Sequence, residues 1–203
     1  MFELYSANTP NGQKITIALE ELGLDYKLNK LNLGLRDQKQ PAYLAINPNG
    51  RIPALVDQSN DGFAVFESGA ILIYLAEKFD KLMPSDSNGR SLVMQWLMFQ
   101  MSALGPMMGQ AGWFLRSAPE QMPLAVERYQ QETLRLYGVL DARLKKSTYL
   151  AGDSFSIADI STWTWARNAK YAEVDDSGFP NVRRWVEMIG DREGVKRGLA
   201  RLK

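Results

Sequence analysis

Hydrophobic and polar positions follow two different rhythms along this chain, and the change between them divides it. The opening "FELYSA" reads as a strand, residues 11–22 repeat apolar positions at helical spacing up to Gly23, "YKLNKLNL" reads as a second strand and "KQPAYLAIN" as a short helix. "ALVD" and "FAVF" flank the turn-rich "QSNDG" as a hairpin, and residues 68–79 form one more helix. The order β-α-β-α-β-β-α predicts a small α/β sheet with helices on its faces: one parallel crossover, then an antiparallel pair.

Past Asp80 the strand rhythm stops. "DKLMPSDSNG" (Asp80–Gly89) gathers Pro, Gly, Ser and Asp, the composition of an exposed connection. The expected organisation is therefore an α/β domain over 1–80, a linker over 81–89 and an all-helical domain over 90–203. In the last part, Ser91–Trp113, Pro123–Lys145, Ser156–Lys170 and Asn181–Ile189 show helical spacing with Trp, Leu and Met on one side. Gly105-Pro106 should kink or break the first of these helices, because Pro offers no amide and clashes with the preceding turn. In "GDSFSIADI", Ser156 and Asp159 have the spacing of a capping box ahead of an apolar run, so Asp159 reads as structural.

Composition narrows the chemistry. Lys+Arg 24 against Asp+Glu 23 leaves a net charge of +1, far from the basic field that nucleic acid or an anionic membrane demands. The longest apolar run, Ala70–Ala76, is well short of the roughly 20 residues a membrane span needs. Residues 1–7 enter a strand without a signal-peptide pattern, and the cytoplasm is the expected location. The chain contains no Cys and no His, which removes thiolate nucleophiles, sulfur-ligated metals and the commonest general base. An enzyme with this composition takes its reactive atom from a substrate or cofactor.

Three stretches can hold such a ligand. Thr9 and Asn11, in "SANTPNGQK", stand where the first strand gives way to the first helix, beside free backbone amides and the positive end of the helix dipole. The same residues also suit plain capping, with Thr9 as N-cap and Pro10 opening the helix. In "NPNGRIPALVD" the Ile52-Pro53 bond precedes a strand; a cis bond there leaves the Ile52 backbone free to pair with an extended ligand, and an ordinary loop proline is the alternative. Glu67-Ser68-Gly69 lies between a strand and an apolar helix, so Ser68 and the following amides suit a carboxylate and Glu67 an ammonium, as in an amino-acid head group; ordinary capping by Ser68 is the alternative.

These three stretches on one α/β unit, followed by a helical domain, resemble the glutathione transferases over the whole chain. The resemblance implies α/β plus all-α architecture: a thioredoxin-like domain that binds glutathione, then a helical bundle that supplies the co-substrate wall and dimer contacts. "TPNGQKI", "PNGRIPALVD", "FESGAILIYLAEK", "LGPMMGQ" and "ERYQQET" look like the bacterial nu class, which lacks a catalytic Tyr, Ser or Cys and is associated with glutathione-dependent disulfide reduction. The likeness implies that Thr9 and Asn11 act near the sulfur, that Ile52 with Pro53 meets the cysteinyl backbone, and that Glu67 and Ser68 hold the γ-glutamyl group. It suggests Gln38 and Arg51 for the glycyl side, and Arg128, in "VERYQ", reaching the neighbouring subunit's site. Trp113 and Phe114 are expected on the co-substrate wall, with Trp96, Met101, Met107 and Met108 in the bundle core and Tyr5 in strand packing.

The implied partners are glutathione, reduced or oxidised, and a small disulfide or electrophile, in a homodimer without metal, nucleic acid or membrane. The implied activity is disulfide-bond oxidoreduction with weaker transferase or peroxidase activity. Conjugation of electrophiles and non-catalytic glutathione binding are the alternatives, since binding residues alone do not prove turnover.

Overall fold

A computed structural model describes the chain from Met1 to Lys203. Its backbone contacts group into two units, Met1–Lys81 with Asp191–Lys203, and Leu82–Gly190.

The first unit is built on a four-stranded sheet in the order β2-β1-β3-β4, with β1 Phe2–Ser6, β2 Tyr26–Lys30, β3 Ala54–Asp57 and β4 Phe63–Phe66. β1 and β2 are parallel and joined by α1 (Pro10–Leu22); β3 runs antiparallel to both β1 and β4. Alternation in β1 buries Phe2, Leu4 and Ser6 on one face, while every residue of β3, at the sheet's centre, is buried. α2 (Pro41–Leu44) precedes β3, and α3 (Ser68–Phe79) follows β4. The order of elements through Phe79 is the one the residue pattern predicts.

α1 is buried nearly all round, its polar Gln13, Lys14 and Thr16 included. Gly12 through Leu19 are all buried, because α3 packs against one side of the helix and α9 (Glu193–Ala200) against another. Here the organisation differs from the expected one, in which 90–203 forms the helical domain: residues 191–203 belong with the first unit. The cause is close packing at two glycines. A Cβ on Gly198 would lie 2.6 Å from the Ile17 Cα, so only a bare backbone admits this approach. Ion pairs then clasp the rim, with Arg192 forked onto Glu21 at 2.9 and 2.7 Å and Arg197 at 3.1 Å from Glu20.

The second unit is helical: α4 (Ser87–Phe99), α5 (Gly105–Arg116), α6 (Pro123–Leu144), α7 (Ile157–Ala166) and α8 (Pro180–Gly190). α4 starts inside the expected 81–89 linker because Asp86 caps it, accepting from the Gly89 amide at 2.8 Å. At Gly105-Pro106 the helix does not break. A π-helical turn over Gln100–Leu104 carries the Gly105 amide back to the Gln100 carbonyl, which absorbs the missing proline donor before α5 proceeds. Ser156 and Asp159 form the expected capping box, and Asp159 also accepts from the Leu150 amide and the Trp185 indole at 2.9 and 3.1 Å. Burial raises the Asp159 carboxyl to about 6, against the pull of these hydrogen bonds. Met108 is fully buried in this unit, Phe114 stacks on Tyr129 at 5.7 Å, and Trp113 is exposed. No helix is long and apolar enough to cross a membrane.

Replacing Gly198 with Ala should destabilise the protein by about 1–3 kcal/mol, since a methyl group has to push α9 off the α1 backbone. Urea unfolding measures it, and a variant as stable as the parent would show that α9 is not clamped there.

Candidate active site

The site begins with strand register. Tyr5 pairs with Ala54, and Ala54 with Phe66, so the end of β1, the start of β3 and the end of β4 share one edge of the sheet. The Asn8–Asn11 turn, Ile52-Pro53 and Glu67-Ser68 therefore emerge side by side, though 60 residues separate the first from the last.

Thr9 is the N-cap of α1: its backbone is extended (φ −133°, ψ 162°) and its Oγ1 accepts from the Gly12 amide at 3.2 Å, with Pro10 opening the helix. Capping and ligand binding do not compete here, because a hydroxyl that accepts with one lone pair keeps its proton to donate. Asn11 sits half-buried in the first turn. Gly12 is required by close approach, as a Cβ there would lie 2.1 Å from the Ala7 carbonyl oxygen. Tyr5 stays in the strand, its ring centroid 6.0 Å from that of Tyr43, as expected for packing.

The second segment is held by its own side chains. The Arg51 carbonyl accepts from the Tyr43 hydroxyl at 2.5 Å and from Asn47 Nδ2 at 2.7 Å, while Asn47 Oδ1 accepts from the Asn49 amide at 3.0 Å. Burial pushes the Tyr43 phenol up to about 12, so it remains a donor throughout the ordinary pH range. With the Arg51 carbonyl engaged inward, the chain turns Ile52 toward the sheet edge; the Ile52–Pro53 peptide is cis. The Arg51 side chain is exposed. Gln38 precedes Lys39, whose Nζ donates to the Asn49 carbonyl at 3.3 Å, and its Oε1 is buried without a hydrogen-bond partner.

The third segment carries a backbone outlier. Glu67 has φ +70° and ψ 119°, a conformation costly for a residue with a side chain, and such positions cluster at ligand sites. Its Oε1 accepts from Asn49 Nδ2 at 3.4 Å, tying the second and third segments together. Ser68 follows as the first residue of α3, 3% exposed, with the Gly69 and Ala70 amides in the same first turn. An exposed carboxylate beside a helix N-terminus and a hydroxyl fits a zwitterionic head group: ammonium on Glu67, carboxylate on the helix end.

Lys14 escapes the sequence reading. Its side chain is completely buried, and Nζ lies 3.2 Å from Ser68 Oγ, joining the start of α1 to the start of α3. Burial lowers its pKa to about 7, opposed by the negative charge of Glu67. The signal for it was present, since Lys14 shares a helix face with Ile17 and Ala18, three and four positions on. Thr9, Asn11, Ile52, Pro53, Glu67 and Ser68 thus gather at one sheet edge, and Gln38 and Arg51 adjoin through the Asn47–Arg51 loop. Arg128 belongs to the second unit, exposed on α6.

Asn47→Ala should cost about 1–3 kcal/mol of stability, because it strips a partner from both the Arg51 carbonyl and the Asn49 amide. Denaturant titration provides the number, and faster amide exchange over residues 49–52 should accompany it. Unchanged exchange there would mean the loop holds its shape without Asn47.

Comparison with known proteins gives the family. Residues 1–77 match the glutathione S-transferase N-terminal domain and residues 123–187 the C-terminal domain. The chain is 45% identical to the disulfide-bond oxidoreductase YfcG of Escherichia coli K12, over 98% of this chain and 94% of that protein. A glutathione transferase family member from Pseudomonas fluorescens pf-5, solved with two glutathione bound, superposes with a TM-score of 0.93 at 42% identity, covering 98% of this chain and 92% of that one. A glutathione transferase from Pseudomonas putida, solved with one glutathione disulfide per subunit, gives a TM-score of 0.92 at 40% identity over 98% and 90% of the two chains. With both domains matched in order and the strand-edge site in place, the chain belongs to the glutathione transferase family.

Proposed function

We propose that this protein is a glutathione-dependent disulfide-bond oxidoreductase in which Thr9 and Asn11 stabilise the reacting sulfur. The observation that carries the reading is the register row Tyr5–Ala54–Phe66, which puts a donor-rich helix start, an extended Ile52 segment and an amino-acid-type anchor along one edge. The span suits a tripeptide: γ-glutamyl on Glu67 and Ser68, cysteinyl backbone against Ile52, glycyl end toward Gln38 and Arg51. The name of the Escherichia coli relative and the ligands of the two Pseudomonas structures support it.

The chain has no thiol to form a mixed disulfide, so the attacking sulfur belongs to glutathione. In the first exchange a glutathione thiolate forms a new S–S bond with one substrate sulfur as the substrate's own S–S bond breaks, and the departing thiolate takes up a proton. A second glutathione thiolate then displaces the remaining substrate sulfur, leaving oxidised glutathione. Two glutathione thiols supply both electrons. The Thr9 hydroxyl, the first-turn amides and the Asn11 amide are neutral donors at the positive end of α1, placed to favour thiolate over thiol. One or two such bonds, at about 1.5–3 kcal/mol each to a charged acceptor, lower a thiol from its usual pKa of about 8.5 by about one to two. A thiol-driven reaction of this kind belongs in a reducing compartment, which is the support for a cytoplasmic setting.

Thr9→Ala and Asn11→Ala should lower turnover with hydroxyethyl disulfide more than they weaken glutathione, and should raise the pH at which the rate plateaus; Thr9→Ser should restore both. The same variants assayed with a chloronitrobenzene separate the two enzymatic readings, because a parent faster in conjugation than in disulfide reduction would reverse the assignment. If both single variants and the double variant keep the parent's rates and pH profile, the loop acts only as a helix cap.

The working unit in this reading is a two-fold homodimer in which exposed Arg128 reaches the partner's site, its planar fork suited to a carboxylate. Sedimentation at micromolar concentration should give a dimer. A fully active monomer would contradict it.

A further inference from the structure

Asn8 opens the turn that carries Thr9 and Asn11, and the exchange chemistry leaves it without a task. The Thr9 amide donates back to the Ala7 carbonyl at 2.8 Å, which makes Asn8 the apex of a three-residue turn between β1 and the cap of α1. An exposed asparagine at such a tip ordinarily samples several rotamers. This one is tethered: Asn8 Oδ1 accepts from Gln13 Nε2 at 2.9 Å, across the first turn of α1. With Thr9 as N-cap, Asn8 is N′ and Gln13 is N4, the two positions that a hydrophobic staple joins to fix the angle at which a chain enters a helix. Here the staple is a hydrogen bond, so it has a direction.

A side-chain amide accepts on its oxygen and donates from its nitrogen. Gln13 engages the oxygen, and this is the one bond that the Asn8 side chain makes within the chain. The Nδ2 arm is thereby held away from Gln13 with both protons to donate. Exposure orders the turn: Asn8 is exposed, Thr9 and Asn11 are half-buried, and Gly12 is buried. A sulfur held by Thr9 and Asn11 lies on the inner side, and a disulfide arriving from solvent carries its second sulfur on the outer side. In a displacement at sulfur the entering and leaving atoms stand on opposite sides of the central one. Two S–S lengths of about 2.05 Å already separate them by about 4 Å. Donors gathered around the entering thiolate do not serve the departing one, whereas a donor on the outer rim does.

We propose that Asn8 is a catalytic donor to the sulfur that departs in the first exchange, and that Gln13 is the positioning residue that aims it. The proposal rests on the reading that places the attacking sulfur at Thr9 and Asn11. As the glutathione sulfur bonds to the near substrate sulfur, the substrate's S–S bond breaks and its electron pair leaves on the far sulfur. Asn8 Nδ2 hydrogen-bonds that developing thiolate and gives up no proton; solvent protonates the thiolate afterwards. A neutral donor aimed in advance stabilises the new charge without reorganisation during the reaction. The consequence is a selectivity among substrates. A thiol of high pKa leaves reluctantly and gains most from the donor, while a thiol of low pKa leaves readily and gains little.

The test is kcat/KM for the disulfide at saturating glutathione, corrected for the rate with glutathione alone, since this quantity reports the first exchange. Hydroxyethyl disulfide releases an alkyl thiolate, and dipyridyl disulfide releases an aryl thiolate of much lower pKa. Asn8→Ala should lower the first value about tenfold or more and the second by no more than about threefold. Its affinity for S-methylglutathione and its pH profile should stay those of the parent. Asn8→Asp keeps the shape and the acceptor for Gln13 but puts a negative charge where the thiolate forms, so it should be slower than Asn8→Ala with hydroxyethyl disulfide. Gln13→Met, close in volume, cuts the tether and should give a smaller loss with the same preference between substrates. Equal losses with the two disulfides, or none with either, would overturn the assignment of Asn8 to the departing sulfur. A plateau shifted to higher pH in Asn8→Ala would overturn it too, by placing Asn8 on the attacking sulfur. A parent that reduces neither disulfide, or Thr9→Ala and Asn11→Ala variants that keep the parent's rates and pH profile, would remove the sulfur from this turn and the proposal with it.

Discussion

One row of the sheet decides where everything else goes. Because β3 is antiparallel to both neighbours, the pairing Tyr5–Ala54–Phe66 makes two strand ends and a strand start coincide, and each leads directly into a polar turn. A slip of one residue would turn the buried and exposed faces over and separate those turns. The far end of β3 secures the register. Asp57 is buried there and takes hydrogen bonds from Lys78, Tyr74 and Ser59; burial opposes ionisation, but these donors outweigh it and hold the carboxyl well below the usual range. A buried, fully bonded carboxylate tolerates no sliding, because any shift would strand a charge without partners.

From that edge outward, the site works with neutral donors and backbone ends. In the proposed reading, with neither imidazole nor thiol in the chain, selectivity for an anionic sulfur falls to groups whose orientation is set before the ligand arrives. The same economy recurs in each segment. Thr9 caps a helix with a lone pair and keeps its proton, Asn47 and Tyr43 use up an inward carbonyl so that the next residue faces out, and Glu67 accepts an unfavourable backbone to place its carboxylate beside α3.

Most of this organisation is legible in the residues because it is local. Pro10, Gly23, the "QSNDG" turn and the Ser156–Asp159 box punctuate elements whose apolar spacing is strong, and the three site stretches all sit at such punctuation. What is not legible depends on partners distant in the chain. α9 hides because its buried face is made partly of Gly194 and Gly198, which contribute no hydrophobic signal: Gly198 lets backbone meet backbone at Ile17, and Gly194 leaves room for the Glu21 side chain. Lys14 is hinted at only by Ile17 and Ala18 on its helix face, and its partner on α3 is 54 positions away; the π-turn before Pro106 is a local repair that a proline in the sequence does not announce. Residues that cap and turn declare themselves; residues that matter through a neighbour across the fold do not.

The clasp of α9 on α1 also bears on how the chain is made. Domains commonly fold as units in the order in which they emerge during synthesis. Here the sheet and its three helices leave the ribosome first, yet the helix that covers α1 comes only after the whole second unit. Until residues 191–203 have been made, Ile17 and the glutamates beyond it lack the helix that covers them. The nascent sheet is thus half-closed while the second unit is being made, and its last side is sealed only once α9 has been synthesised.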